Sequence, residues 1–306
     1  VTLVPETSSS AKGGVWTPKN LSYEPIPLID AGEQIVVEIM VVLDETPANV
    51  AGVQFINTAK WWFGRLIEGV SYDPLPGEWG VTPPMTIVEP NLQVTKSSSE
   101  TAINLATQVP FTIDVQNVGG SDVWNATILD VLPRINGAFP AGMCDFDPTA
   151  TVQAQIFAAD GTTPVTGVLT QGIDYSVTYG GSTGPSKCEL SFTMLSATAV
   201  IGPTEHLIII YQSELDSDTT GDGVSLTNVA GATQWFNSDD PVTRRTYTRT
   251  LTDGTPGFAD YEDNHTTTTA LSAYVFQKTV ANVTTGANPT ATTDAGDTIR
   301  SILPRL

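Results

Sequence analysis

The sequence predicts an all-β chain of tandem antiparallel β-sandwiches, on three observations. It repeats itself at domain length, its strand-like runs are short and punctuated by turn residues, and β-branched and small residues far outnumber charged ones. The repeat is the strongest of these. Glu33 to Phe63 reads EQIVVEIMVVLDETPANVAGVQFINTAKWWF, and Glu205 to Phe236 reads EHLIIIYQSELDSDTTGDGVSLTNVAGATQWF. Both run from an apolar strand through Leu-Asp and a polar loop to an Asn-x-Ala strand, then to Trp-Phe. Downstream of each copy stands a short strand ending in lysine, Asn91 to Lys96 and Tyr274 to Lys278. A period of roughly 170–180 residues is domain-sized, so it describes domains in series and not a short-repeat solenoid.

The elements follow in order. Phe111 to Gln116 precedes an Asn117-Val-Gly-Gly turn, and Ala126 to Leu129 precedes Asp130-Val-Leu-Pro133. Tyr175 to Tyr179 precedes Gly180-Gly181, and His206 to Gln212 precedes an acidic loop. Such runs, bounded by Gly, Pro and Asn, read as strands of a β-sandwich. The best helical candidate is short, Met194 to Ile201. Linkers are expected at Pro83 to Pro90 and in the polar tract Asn264 to Thr269. The divisions are then 1–90, the closing part of one repeat; 91–270, a complete sandwich; and 271–306, the opening of a further repeat. Two explanations stand for the incomplete ends: a piece of a longer protein, or a subunit whose tail pairs with the head of the next copy by strand addition.

Composition excludes some function classes. A net charge of −20 with 13 basic residues lacks the basic footprint that nucleic acid requires. The longest apolar run, Ile35 to Leu43, is broken by Glu38 and too short to span a membrane. Two cysteines, Cys144 and Cys188, fall within the complete repeat; in an exported chain they most simply pair, and free thiols are the other reading.

The segments NLQVTK, FTIDVQNVGGSDVWNATILDVLP and LTNVAGATQWF resemble the conserved repeat of bacterial and archaeal surface proteins, whose members are described as isopeptide-forming fimbrial domains. The resemblance covers nearly the whole chain. It implies immunoglobulin-like sandwiches in an extracellular filament, fimbria or stalk, with copies of the chain or adjacent repeats as partners, and no particular ligand; the tandem repeat itself is the pattern of spacer or filament material and not of an enzyme.

The residues themselves single out Lys96, Asp130 and Asn228. Side chains two apart on a strand share a face. Lys96 therefore sits with Leu92 and Val94, Asp130 with Ile128 and Leu132, and Asn228 with Leu226 and Ala230. Three polar groups on apolar faces of first, middle and last strands are costly unless they satisfy one another. What the resemblance implies is a reaction: a buried neutral lysine attacks the asparagine amide while the acid shuttles protons, giving an isopeptide bond and ammonia. A hydrogen-bonded structural network is the other reading. Lys278 (with Tyr274 and Phe276) and Asn57 (with Phe55 and Ala59) occupy the corresponding positions of the partial repeats, and lysines number only six.

Other features are weaker. Asp216, Asp218 and Asp222 in a Gly-containing loop offer hard oxygen ligands for calcium, although the spacing is not that of a helix-loop-helix site and solvated acidic turns look the same. Gly180-Gly-Ser182-Thr-Gly184 matches a nucleophile elbow in letters only, since a hairpin context is expected. Trp61, Trp62 and Trp235 suit core packing, or sugar stacking in an adhesin, which is the alternative function. Asn20, Asn125, Asn264 and Asn282 head glycosylation sequons.

Overall fold

The computed structural model describes residues 75–105, 107–181, 183–184, 187–255 and 259–271, with 3–5, 14–17, 20–23, 32, 34, 36, 41–43, 46–63, 66–67, 70–71, 279–288, 292 and 294–302. Between Leu92 and Thr269, beside the two-residue pair Arg134–Ile135 with Ala141–Gly142, the alternation of apolar and polar residues builds eleven strands among the described residues. These are β1 (Leu92–Ser98), β2 (Ala102–Ile103), β3 (Gln108–Asn117), β4 (Trp124–Val131), β5 (Gln153–Phe157) and β6 (Tyr175–Tyr179). There follow β7 (Glu189–Met194), β8 (His206–Glu214), β9 (Ser225–Phe236), β10 (Thr246–Thr248) and β11 (Glu262–Thr269). Among the described residues helix is confined to 3-10 turns at Pro148–Thr151 and Ala197–Ala199, the second within the stretch expected to be helical.

Two sheets result. One has the order β1-β3-β8-β5; the other runs β2-β11-β9-β4-β7-β6, with β10 on β9. Every pairing is antiparallel except the two-residue contact of β2 with β11. This is an immunoglobulin-like β-sandwich. Its core is the inward face of each alternation: Phe111, Ile113 and Val115 from β3, Leu207, Ile209 and Tyr211 from β8, and Ile128, Leu190 and Phe192 from the facing sheet, all fully buried. Each such Leu, Ile or Phe contributes about 1.5–3 kcal/mol by leaving water.

The Asn117 turn shows how punctuation becomes structure. The buried Asn117 amide donates to Ser121 O at 2.8 Å and Ile201 O at 2.9 Å, while its Oδ1 accepts from Gly119 N at 3.0 Å. A Cβ on Gly119 would lie 2.4 Å from the Asn91 backbone nitrogen, so only glycine lets the turn close on the chain entering β1.

One expected linker is a strand. Asn264 to Thr269 forms most of β11, with Thr267 and Thr269 buried. The threonine run is polar by composition, yet β-branched residues suit a pleated, half-buried surface, and alternate threonines face inward. Asn228 consequently lies on the strand before the last, paired with His265 of β11.

Strand β1 lies at the seam of the sandwich. Its inner edge pairs with β3, while its outer edge reaches the other sheet: Val94 N donates to Asp260 O at 2.8 Å and Lys96 N to the Asp263 carboxylate at 2.8 Å. That closure covers an edge that would otherwise be open to pairing.

Outside the sandwich, Thr58–Phe63 pairs with Leu75–Val81, and Thr279–Asn282 with Ile299–Ile302, both antiparallel. Asn57, expected on an apolar face, is exposed, as are its neighbours Ile56 and Ala59. Alternation predicts that two faces exist but not that a second sheet covers one, and among the described residues none covers Asn57. Lys278 and the side chains of Trp61 and Trp62 lie outside the described residues.

Candidate crosslinking site

Lys96, Asp130 and Asn228 meet in the middle of the core. Register explains the meeting. Asp130 on β4 pairs with Ala230 on β9, which pairs with Asp263 on β11, the residue that holds the Lys96 backbone. These residues form a row that brings β1 over β4, and Asn228 is the next inward side chain along β9. Lys96 is 4 % exposed, Asp130 0 % and Asn228 1 %.

A fourth residue completes the group. Tyr211 on β8 is fully buried, and its hydroxyl donates to Asp130 Oδ2 at 2.8 Å. The Tyr211 hydroxyl oxygen in turn accepts from Asn228 Nδ2 at 2.8 Å and from Lys96 Nζ at 3.2 Å. Lys96 Nζ lies 2.5 Å from Asp130 Oδ2. Aromatic rings form the walls: Lys96 Nζ is 4.9 Å from the Phe111 ring centre and 5.1 Å from that of Tyr211, and Phe111 stacks on Tyr211 at 5.5 Å. Phe192 stands 6.3 Å from Tyr211 in the opposite sheet.

The electrostatics favour loss of charge. Burial pushes the Lys96 ammonium below its usual range, against the opposing pull of Asp130 and Asp263. Burial pushes the Asp130 carboxyl above its usual range, against Lys96, Tyr211 and Asn228. Both shifts move the pair from ammonium and carboxylate toward amine and carboxylic acid. Burial and the neighbouring Asp130 hold the Tyr211 phenol well above its usual range, so it stays protonated. Two buried oxygens, Asp130 Oδ1 and Asn228 Oδ1, have no hydrogen-bond partner. Orphaned polar atoms of this kind cost about 1–3 kcal/mol each and are rare in a settled core. A lysine, an aspartic acid side chain and a primary amide thus share one buried chamber, with burial pushing the first two toward their neutral forms.

Sequence missed Tyr211 because a tyrosine two residues after Ile209 on an apolar face looks like any core aromatic. The available signal was that a buried phenol needs a partner.

Cys144 and Cys188 form a disulfide, with Cα atoms 5.0 Å apart. It ties the loop after Ala141–Gly142 to the start of β7. Reduction is expected to destabilise the protein by about 2–4 kcal/mol, chiefly by freeing the unfolded chain. Urea unfolding with and without reductant measures this, and alkylation of the unreduced, denatured chain should find no thiol.

Asp216 and Asp218 come together, with Asp145 as the third carboxylate and not Asp222. The positive charge among them is Arg134, 2.8 Å from Asp216, 3.1 Å from Asp145 and 3.3 Å from Asp218. Asp222 is exposed and accepts from Leu271 N at 2.8 Å. Trp235 is buried, stacked on Tyr247 at 5.6 Å, so its ring is not a surface for sugars. The glycine-rich segment near Gly180 joins the antiparallel pair β6 and β7 and does not lead from a strand into a helix. Ser182 lies outside the described residues. Asn282 is buried and Asn264 holds backbone oxygens of Asp253 and Gly254.

Fold and chamber together define a β-sandwich with a buried lysine, acid and amide. No family model matches the chain, and no curated protein does. Among solved structures it is similar to the RrgB pilus backbone of Streptococcus pneumoniae, at 14 % identity and a TM-score of 0.31 over 49 % of this chain and 54 % of that one. It is also similar to BcpA, the major pilin subunit of Bacillus cereus, at 9 % identity and a TM-score of 0.36, covering 79 % and 60 % of the two chains. A third is the collagen-binding subdomain of the Enterococcus faecalis surface protein ACE, at 12 % identity and a TM-score of 0.28 over 59 % and 96 %. The match spans about half the length of the pilus backbone. Overlays this loose carry no weight of their own, and the fold rests on the strand pairings above. Among the described residues no helix is long and apolar enough to cross a membrane.

Proposed function

We propose that this chain is a load-bearing repeat of an extracellular filament or stalk, whose complete sandwich is locked by an amide between Lys96 and Asn228. The observation that carries the reading is the closed chamber itself. A lysine amine, an acid pushed toward its neutral form and a primary amide are held there with two oxygens unpartnered. As a purely structural network it would be a poor bargain, because apolar side chains of similar volume are often as stabilising or more so. As a reaction site it is well composed: the amine is the nucleophile, Asp130 manages protons, and ammonia leaves. The bond would join β1 of one sheet to β9 of the other, so that tension could not part the sheets without breaking a covalent bond. Adjacent repeats or further copies of the chain are the partners this role requires.

Intact mass after reduction and denaturation tests it. Loss of one ammonia, with the Lys96 and Asn228 peptides joined on digestion, supports the bond; the full mass of the unreacted chain refutes it. Digestion also separates the bond from ammonia loss at Asn136-Gly137, where a cyclic imide would leave the two peptides unjoined.

The pH dependence follows from proton count. Ammonium with carboxylate and amine with acid hold the same number of protons, so their exchange does not depend on pH. Bond formation in freshly folded protein is therefore expected to be flat across mid-range pH. It falls in acid, where the pair gains a proton and the lysine stays ammonium, and in base, where the pair loses the proton that the leaving nitrogen needs. Asp263, Tyr211 and, beyond it, Tyr179 are the other titratable groups acting on the pair. A rate that climbs steadily with pH, as for an exposed lysine, would contradict this.

A further inference from the structure

We infer that the Tyr211 hydroxyl is the proton relay of the crosslinking reaction, carrying the proton of Asp130 to the departing nitrogen of Asn228. The inference rests on the Lys96–Asn228 reading and adds a residue to it that no part of that reading requires. Its basis is connectivity. A phenol can donate once and accept twice, and Tyr211 does all three, with Asp130, Asn228 and Lys96 as its partners. The nitrogen that must leave is bonded to the phenol oxygen at 2.8 Å, and the phenol proton points at the acid, also at 2.8 Å. All four residues are buried, so the relay is made of protein groups already in place.

The steps balance. Lys96 first passes a proton to Asp130, giving amine and carboxylic acid. The amine attacks Asn228 Cγ, forming a C–N bond while the carbonyl electron pair moves to Oδ1. The Asn228 nitrogen, now pyramidal with a free lone pair, turns from donor to acceptor, and the Tyr211 O–H swings from Asp130 to it; Asp130 then gives its proton to the Tyr211 oxygen as Tyr211 gives its own to Asn228 Nδ2, both hydrogen bonds having reversed. The old C–N bond breaks, ammonia departs, and the carbonyl re-forms. The attacking nitrogen returns a proton to Asp130. The products are a secondary amide, ammonia and a protonated Asp130; Tyr211 ends as it began, and no co-reactant is needed. A phenol held protonated, as this one is, suits a relay better than it suits a base.

The test follows intact mass against time in the full chain made by cell-free synthesis. Tyr211→Phe keeps the ring stack and removes only the hydroxyl, and ammonia loss is expected to slow by roughly 100-fold or more, the usual scale for a positioned proton donor. Because that variant also disturbs a buried network, a second chain carries 3-fluorotyrosine at 211, which retains shape and hydrogen bonds but is more acidic. A relay predicts a changed rate with an unchanged melting curve, whereas a structural hydroxyl predicts the wild-type rate. Wild-type kinetics in both variants would overturn the relay and leave the bond standing, with Asp130 transferring its proton directly. A wild-type chain that keeps its full mass would overturn both.

Discussion

Asp130→Ala is expected to abolish ammonia loss entirely and to leave a protein well below the wild type in stability. Without the acid, the lysine nitrogen loses the carboxylate bonded to it: Asp263 holds the Lys96 backbone nitrogen, and Tyr211 is a phenol held protonated. The amine then stays an ammonium or is forced neutral by burial alone, and either state is costly. Truncating one member of a buried ion pair costs about 3–5 kcal/mol, because the partner is left uncompensated. The pair Lys96→Met with Asp130→Leu should recover most of that uncompensated-charge cost, though not the contribution of the crosslink, while remaining at unreacted mass, since it leaves no buried charge. Urea unfolding of the single and double variants, read beside their intact masses, checks both halves. A single variant that still loses ammonia would remove Asp130 from the chemistry.

The second large effect is the worth of the bond itself. Asn228→Ala keeps Lys96 and Asp130 together but removes the acyl group, so it isolates the crosslink. The bond closes a loop of roughly 130 residues, and loop-closure entropy on that scale stabilises the fold by about 5 kcal/mol. A domain's whole stability is of the order of 5–15 kcal/mol, so the unfolding midpoint should fall far. The crosslinked wild type should also run faster than the variant on a reduced denaturing gel, being a closed loop. Equal midpoints and equal mobility would mean that no crosslink had been removed.

Much of this was legible because a strand's two-residue period is strict. Lys96, Asp130 and Asn228 each stand two residues from an apolar neighbour on the same strand, and that spacing pointed them to the apolar face, while a surface end for Lys96 and a turn cap for Asp130 stayed open until the fold buried both. Tyr211 obeys the same period yet gave no sign, because its ring is what a core position ordinarily holds. The Arg134 cluster was hidden for another reason. Its carboxylates come from Asp145 and from the Asp216–Asp218 loop, and only the folded loops bring them to the guanidinium. Asn57 failed where the period is silent, since a face counts as buried only when something lies over it. The threonines of β11 failed because hydroxyls lower hydropathy without lowering strand preference.

The most direct measurement is the mass of the whole chain, reduced and denatured, followed by a peptide map. The expected result is a chain lighter by one ammonia, with the Lys96 and Asn228 peptides recovered as one branched species. A chain at its full mass, with those two peptides separate, would contradict the crosslink.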